Sequence, residues 1–235
     1  MANAENAQNP PNERPIEAHD ILELGDCQPI ATGTYRDVYI FPNRPDAVVK
    51  VLRPGVGHQP NRPIRNFLKA RSIRQLYRFM FREYEAFLEA KLRQVTSPGP
   101  LPVSELFWLQ RTSRGLGMVA ERARGQSGGP AVSLGDLKRD GGFDATMLDA
   151  LNGFIARMEV LDVVVNDTNP ENVLLDESHD TPRFLLVDGF GDPNPIQVKR
   201  LSPTLRKRSR ARRWNRMAEF LELEWNPTKE MLERP

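Results

Sequence analysis

Apolar and polar residues are spaced in different ways along this chain, and each change of spacing marks a change of element. From Ile21 to Leu52 the pattern is that of β-strands. Gln28-Pro29-Ile30-Ala31 leads into a Thr32-Gly33-Thr34 turn, followed by Val38-Tyr39-Ile40-Phe41. Pro42-Asn43-Arg44-Pro45-Asp46 is turn chemistry, and Ala47-Val48-Val49-Lys50-Val51-Leu52 is a β-branched run with one lysine inside it. Arg53 to Pro63 is too rich in proline and glycine for a regular element. From about Ile64 to Arg93 the spacing is helical: Leu76, Met80, Glu83 and Phe87 form a stripe, with Leu68, Leu88 and Leu92 close to it. Thr96 to Pro102 breaks that helix, and two further strands are predicted over Val103–Gln110 and Leu116–Arg122. Gly125 to Pro130 reads as a hinge, Ser133 as the N-cap of a short helix to Lys138, and Asp144 to Val160 as an amphipathic helix. Val163 to Leu175, VVVNDTNPENVLL, sets polar turn residues between two apolar runs, and Phe184 to Val187 is a strand ending in Asp188. No internal repeat is present.

The order of elements predicts an α+β chain in two lobes. The N-lobe, residues 19–124, carries a five-stranded antiparallel sheet and one long helix. A hinge at 125–132 leads to a reduced helical C-lobe at 133–225, with a tail at 226–235. Residues 1–18 are rich in Asn, Pro and Ala and hold almost no core-forming side chains, which predicts disorder.

Composition narrows the function classes. At 235 residues the chain can bury a full core, and a net charge of +2 is too small to imply a polyanionic partner for the whole of it. A single cysteine, Cys27, excludes an internal disulfide and suits a reducing compartment. With only His19, His58 and His179 as further soft donors, a zinc centre is disfavoured. No apolar run is long enough to span a bilayer and the start lacks a signal-peptide pattern, so the expected location is the cytoplasm.

The candidate chemistry lies in Asp167, Asn172 and Asp188. Asp and Asn at this spacing, followed by an Asp at the end of a strand, is how a kinase-type site holds divalent metal and a phosphoryl acceptor. Carboxylate and amide oxygens are hard ligands suited to Mg²⁺. In this reading Asn172 and Asp188 hold the metal, while Asp167 orients the acceptor and takes its proton. Lys50 stands where a strand lysine reaches the α- and β-phosphates of ATP. Strand alternation puts it on the face of Val48 and Leu52, where a cation needs a partner. Glu83, on the helical stripe, is the candidate partner. Gly33, Thr34 and Tyr35 form the candidate phosphate-binding turn, although only one glycine of a Gly-rich loop is kept. Each assignment has a plainer alternative: a hairpin turn at Gly33, an edge-strand lysine pointing to water, a surface glutamate, and simple turn chemistry at Asn166–Pro170.

Beyond these residues, the segments PIATGTYRDVYIFPNRPDAVVKV, REYEAFLEA, RGLGMVAERARG, VVVNDTNPENVLL and LLVDGFGD resemble the bacterial YrbL family, named for a protein of the PhoP regulatory network, within the protein-kinase-like superfamily. The resemblance spans roughly residues 21 to 225. It implies a kinase-like fold and supports Lys50, Glu83, Asp167, Asn172 and Asp188 as site residues.

The departures from a protein kinase are specific. Val165 and Asn166 stand where His and Arg precede the catalytic aspartate, which removes the usual coupling to a phosphorylated activation loop. Asn169 replaces the usual lysine, the metal motif reads Asp188-Gly189-Phe190-Gly191, and 47 residues after Asp188 are too few for the peptide-docking helices of a full C-lobe. The primary expectation is therefore an ATP- and Mg²⁺-binding phosphotransferase acting on a small-molecule or irregular protein acceptor. The alternative is a pseudokinase that regulates by binding nucleotide or a partner. A third reading uses the eight basic residues between Lys199 and Arg213 to bind nucleic acid. Trp214, Met217, Leu221 and Trp225 recur at helical spacing beyond that run, so a helix with a solvated basic face is preferred to a nucleic-acid arm.

Overall fold

The computed structural model describes residues 19–53, 77–165, 168–191 and 203–235, with backbone only for 203–207. The disorder expected at 1–18, the helical pattern expected at 64–76, and Asn166 and Asp167 lie outside these residues. The fold is mixed α+β. The chain divides into two compact units, one drawn from Met1–Phe81 with Glu105–Arg122, the other from Arg82–Ser104 with Ala123–Pro235.

The first unit is built on a six-stranded sheet. Its strands are β1 (Ile21–Leu22), β2 (Ala31–Thr32), β3 (Arg36–Ile40), β4 (Ala47–Leu52), β5 (Leu106–Thr112) and β6 (Gly115–Glu121), in the spatial order β1-β5-β6-β4-β3-β2. The expectation of five antiparallel strands is corrected by one strand: β1 adds to β5 in parallel, with Ile21 opposite Arg111. Two residues are too few to show a period, and a parallel partner so distant in sequence leaves no local signal. The other pairings are antiparallel. Along β4, Ala47, Val49 and Val51 join Leu22, Leu24, Tyr39, Phe41 and Val119 in the core on one face. The opposite face of β4 carries Val48, Lys50 and Leu52, and all three are buried as well.

Helix α1 (Arg78–Thr96) begins in the first unit and continues into the second. Its buried positions are Met80, Glu83, Ala86, Phe87 and Ala90. Leu88 and Leu92, expected near this stripe, are exposed. Each lies five residues beyond a stripe position, about 140° around the helix from it at 3.6 residues per turn. Small alanines fill the stripe where leucines were expected.

The second unit holds α2 (Leu134–Arg139), α3 (Ala145–Val160) and α4 (Pro203–Leu221). Its three-stranded sheet has the order β7 (Val132–Ser133), β8 (Val173–Asp176), β9 (Arg183–Leu186). Ser133 caps α2 through a reciprocal capping box with Asp136, and the Asp144 carboxylate caps α3 by accepting the Met147 N–H. Trp214, fully buried on α4, donates to Glu159 on α3 at 2.9 Å and meets Phe154 edge-on. Met217, Ala218 and Leu221 continue that buried stripe. Trp225 does not extend the helix. The chain turns at Glu222 (φ 58°), the Leu223 N–H closes onto the Ala218 carbonyl, and Trp225 falls on β10 (Glu224–Asn226). The residues expected as a tail return as β11 (Met231–Glu233), where Leu232 is buried and exchanges two hydrogen bonds with the Asn152 amide.

Candidate functional site

The loop between α3 and β8 is held by backbone hydrogen bonds to the segment after β9. Only the second of its two apolar runs is a strand. The first, Val163–Val165, makes a single bridge from Val165 to Phe190, and the Gly191 N–H donates to the Val164 carbonyl at 2.8 Å. At the other end a 3-10 turn spans Pro170–Asn172, which Asn169 caps by accepting the Glu171 N–H. The Val187 N–H then donates to the Asn172 carbonyl at 2.9 Å. This bond brings the Asn172 backbone beside Val187-Asp188, so the two residues expected to hold metal lie on adjoining segments. Asp188 is half-buried, two residues past the end of β9, and its carboxylate accepts the Gly189 N–H at 2.6 Å. Asp167 lies outside the described residues, between Val165 and Thr168.

Gly191 is the tightest point of this stitching. Its φ is +97°, and a Cβ there would sit 2.7 Å from the carbonyl oxygen of Arg82 in α1. Only glycine meets both conditions without moving the helix.

A side-chain network holds the loop from its other side. The Glu171 carboxylate accepts from the Arg139 guanidinium at 2.6 Å and from the Ser133 hydroxyl at 3.0 Å. Arg139 also pairs with Asp136, the capping residue of α2. The hydrogen bond from Arg139, then that from Ser133, holds Glu171 below the ordinary carboxylate range. The Ser133 hydroxyl, then Arg139, lowers Asp136 likewise. Glu171 lies inside the predicted Asp167–Asn172 motif, whose pattern assigns it no role. Its spacing from Arg139 is non-local, and only the capping signal at Ser133 was readable.

Asp176, at the end of β8, carries only a turn signal in the sequence. It is fully buried and accepts from the Arg124 N–H at 3.1 Å, the Ser178 hydroxyl at 2.8 Å and the Arg183 guanidinium at 3.2 Å. Burial by itself would raise its pKa; these donors outweigh that effect and hold it below the usual value.

In the first unit, Lys50 is 5 % exposed on β4, which runs between β3 and β6 with Lys50 opposite Val38 and Met118. The alternative of an edge-strand lysine facing water does not hold. Gly33, Thr34 and Tyr35 form the β2–β3 turn, closed by the Gly33 N–H to the Arg36 carbonyl at 2.8 Å. The Arg53 guanidinium donates to the Gly33 carbonyl at 3.1 Å, and Tyr35 stacks on Phe79. No positive φ is required at Gly33, and an added Cβ would meet only ordinary contact there. In the second unit, Glu83 is 2 % exposed, so a surface glutamate is excluded too. Lysine and glutamate are buried this deeply only when paired or hydrogen-bonded.

The donor set fits hard-metal chemistry. In the second unit Asn172 and Asp188 carry side-chain oxygens on adjoining segments, the donor type that Mg²⁺ prefers. The residues thus define a mixed α+β protein with a buried strand lysine and an amide–carboxylate loop pair. The family model for PhoP regulatory network protein YrbL matches residues 22–222, and the chain belongs to that family. No curated protein matches the sequence. Among the described residues no helix is long and apolar enough to cross a membrane.

Proposed function

We propose that this protein has a two-lobed, kinase-like arrangement, binds ATP with Mg²⁺, and transfers the γ-phosphoryl group to an acceptor that is not a standard peptide. The observation that supports this most is the backbone hydrogen bond from Val187 to Asn172, which brings the segment carrying Asn172 next to the one carrying Asp188. In this reading Lys50 reaches the α- and β-phosphates, and Glu83 acts with it to fix its position. The N–H groups of the Gly33–Tyr35 turn approach the phosphates, and Arg53 braces that turn. Asn172 and Asp188 hold the metal, which neutralises charge on the β- and γ-phosphate oxygens when bound. Asp167 orients the acceptor hydroxyl and takes its proton.

A pseudokinase is the second reading. Val165, at the position of the missing histidine, uses its carbonyl to receive Arg213 at 3.2 Å, a structural engagement with no counterpart in the kinase signature. Both readings that include nucleotide share one inexpensive test. Thermal unfolding is compared with and without ATP–Mg²⁺, where a ligand at about one hundred times its Kd stabilises by roughly 2.7 kcal/mol. An unchanged Tm at millimolar nucleotide would remove nucleotide binding from either reading.

A further inference from the structure

Helix α4 carries a cationic cleft that none of the roles assigned above uses. A cavity of about 470 Å³ lies between one face of α4 and the loop at Thr168 to Pro170. The helix side of the cavity presents Arg212, Arg213 and Arg216 together with Met217 and Phe220, and among the described residues no carboxylate lines it. These positions recur at three- and four-residue spacing, so the arginines converge on the cleft instead of spreading around the helix. The basic run is therefore split by use. Arg210, outside the cleft, is committed to Glu159 and Asp162. Arg213 sits at the base, donating to the Val165 carbonyl and lying over Trp214, with its ring centroid 5.6 Å away. Burial pushes Arg213 down to about 10, ahead of the opposing pull of Glu159, and the guanidinium stays charged at neutral pH. Arg212 and Arg216 stand exposed at the rim, and among the described residues no carboxylate pairs with either. Phe220, 39 % exposed, adds an apolar wall beside them.

We propose that this cleft binds a small molecule carrying an oxyanion, phosphate or carboxylate, on an apolar or aromatic body. The guanidinium forks take the oxyanion and Met217 and Phe220 take the body. The volume suits such a ligand, since small-molecule sites run from about 300 to 1,000 Å³. A nucleic-acid track fits less well, because the three arginines converge on one cleft and Arg210 is already paired with Glu159 and Asp162. The inference stands apart from the nucleotide reading, as none of the lining residues is assigned to ATP or metal.

The test titrates the full chain, without nucleotide, with phenyl phosphate, benzoate and inorganic phosphate, followed by Trp fluorescence and calorimetry. Saturable one-site binding is expected, with an aromatic anion bound more tightly than inorganic phosphate; whichever of phenyl phosphate and benzoate is tighter names the oxyanion. The Arg212→Ala/Arg216→Ala variant changes two exposed side chains, so it should fold, and it should weaken binding at least about tenfold. Phe220→Ala should weaken the aromatic anions and leave inorganic phosphate unchanged. Arg208→Ala, exposed on α4 but outside the cleft lining, should bind as the natural chain does. The proposal is overturned by an absence of saturable binding, or by an equal loss in Arg208→Ala. Tighter binding of a single-stranded oligonucleotide, with a salt dependence that the double variant flattens, would also overturn it.

Discussion

Lys50 in the first unit and the Asn172 and Asp188 segments in the second are held by different forces. Lys50 is fixed by a sheet: its strand lies between two others, both strand faces are buried, and the register with Val38 and Met118 sets where the side chain points. Asn172 and Asp188 are fixed by single bonds: one backbone hydrogen bond beside them, one bridge at Val165, and a carboxylate–guanidinium network around Glu171. The first arrangement rests on apolar burial, which is insensitive to pH and distributed over many residues. The second rests on a few polar contacts, each of which can be removed separately. A charge buried in a sheet is costly to disturb, whereas single polar contacts of this kind each contribute only about 0.5–1.5 kcal/mol.

That contrast can be broken first in the sheet. Phe41 is 2 % exposed in the core behind β4 and meets Trp108 edge-on. Phe41→Ala should cost about 3–5 kcal/mol in urea unfolding. A cost near that of a surface change would show that the sheet does not rest on this core. In the loop region the largest effect belongs to Gly191→Ala. It combines a positive φ with a clash against the Arg82 carbonyl, and roughly 1–3 kcal/mol is expected from the backbone conformation alone. A neutral result would mean that the 187–191 segment is not seated against α1 as described.

The pH dependence sharpens the comparison further. Asp136 and Glu171 have folded pKa values below their unfolded ones, so their contribution is present above the unfolded value of about 4 and is lost as the pH falls through the folded value. Arg139→Met should therefore lower stability at neutral pH, and its gap from the natural chain should close in acid. A gap that stays constant with pH would assign Arg139 a packing role only.

The strands and caps were the readable part of the fold. Alternation alone put Lys50 on one face with Val48 and Leu52, and Ser133 and Asp144 announced their helices as side chains that cap N-termini. The boundaries that escaped depend on distant or unusual geometry. β1 pairs with a strand some ninety residues away, and α4 ends on a glutamate at φ 58° where glycine is the usual signal. The site divides likewise. Spacing along the chain singles out Asn172 and Asp188 as candidates, and the Val187–Asn172 bond places them on adjoining segments. The Glu171–Arg139 pair, the burial of Asp176 and the inward turn of Arg213 arise from tertiary neighbours that no local pattern encodes.

The central claim is that the buried lysine and the stitched loop serve one nucleotide. Calorimetric titration of ATP, with and without Mg²⁺, into the natural chain, Lys50→Met and Asp188→Asn tests it most directly. The account predicts binding to the natural chain that Mg²⁺ strengthens, binding lost in Lys50→Met, and the Mg²⁺ enhancement lost in Asp188→Asn. Binding that is absent from the natural chain, or unchanged in both variants, would contradict it.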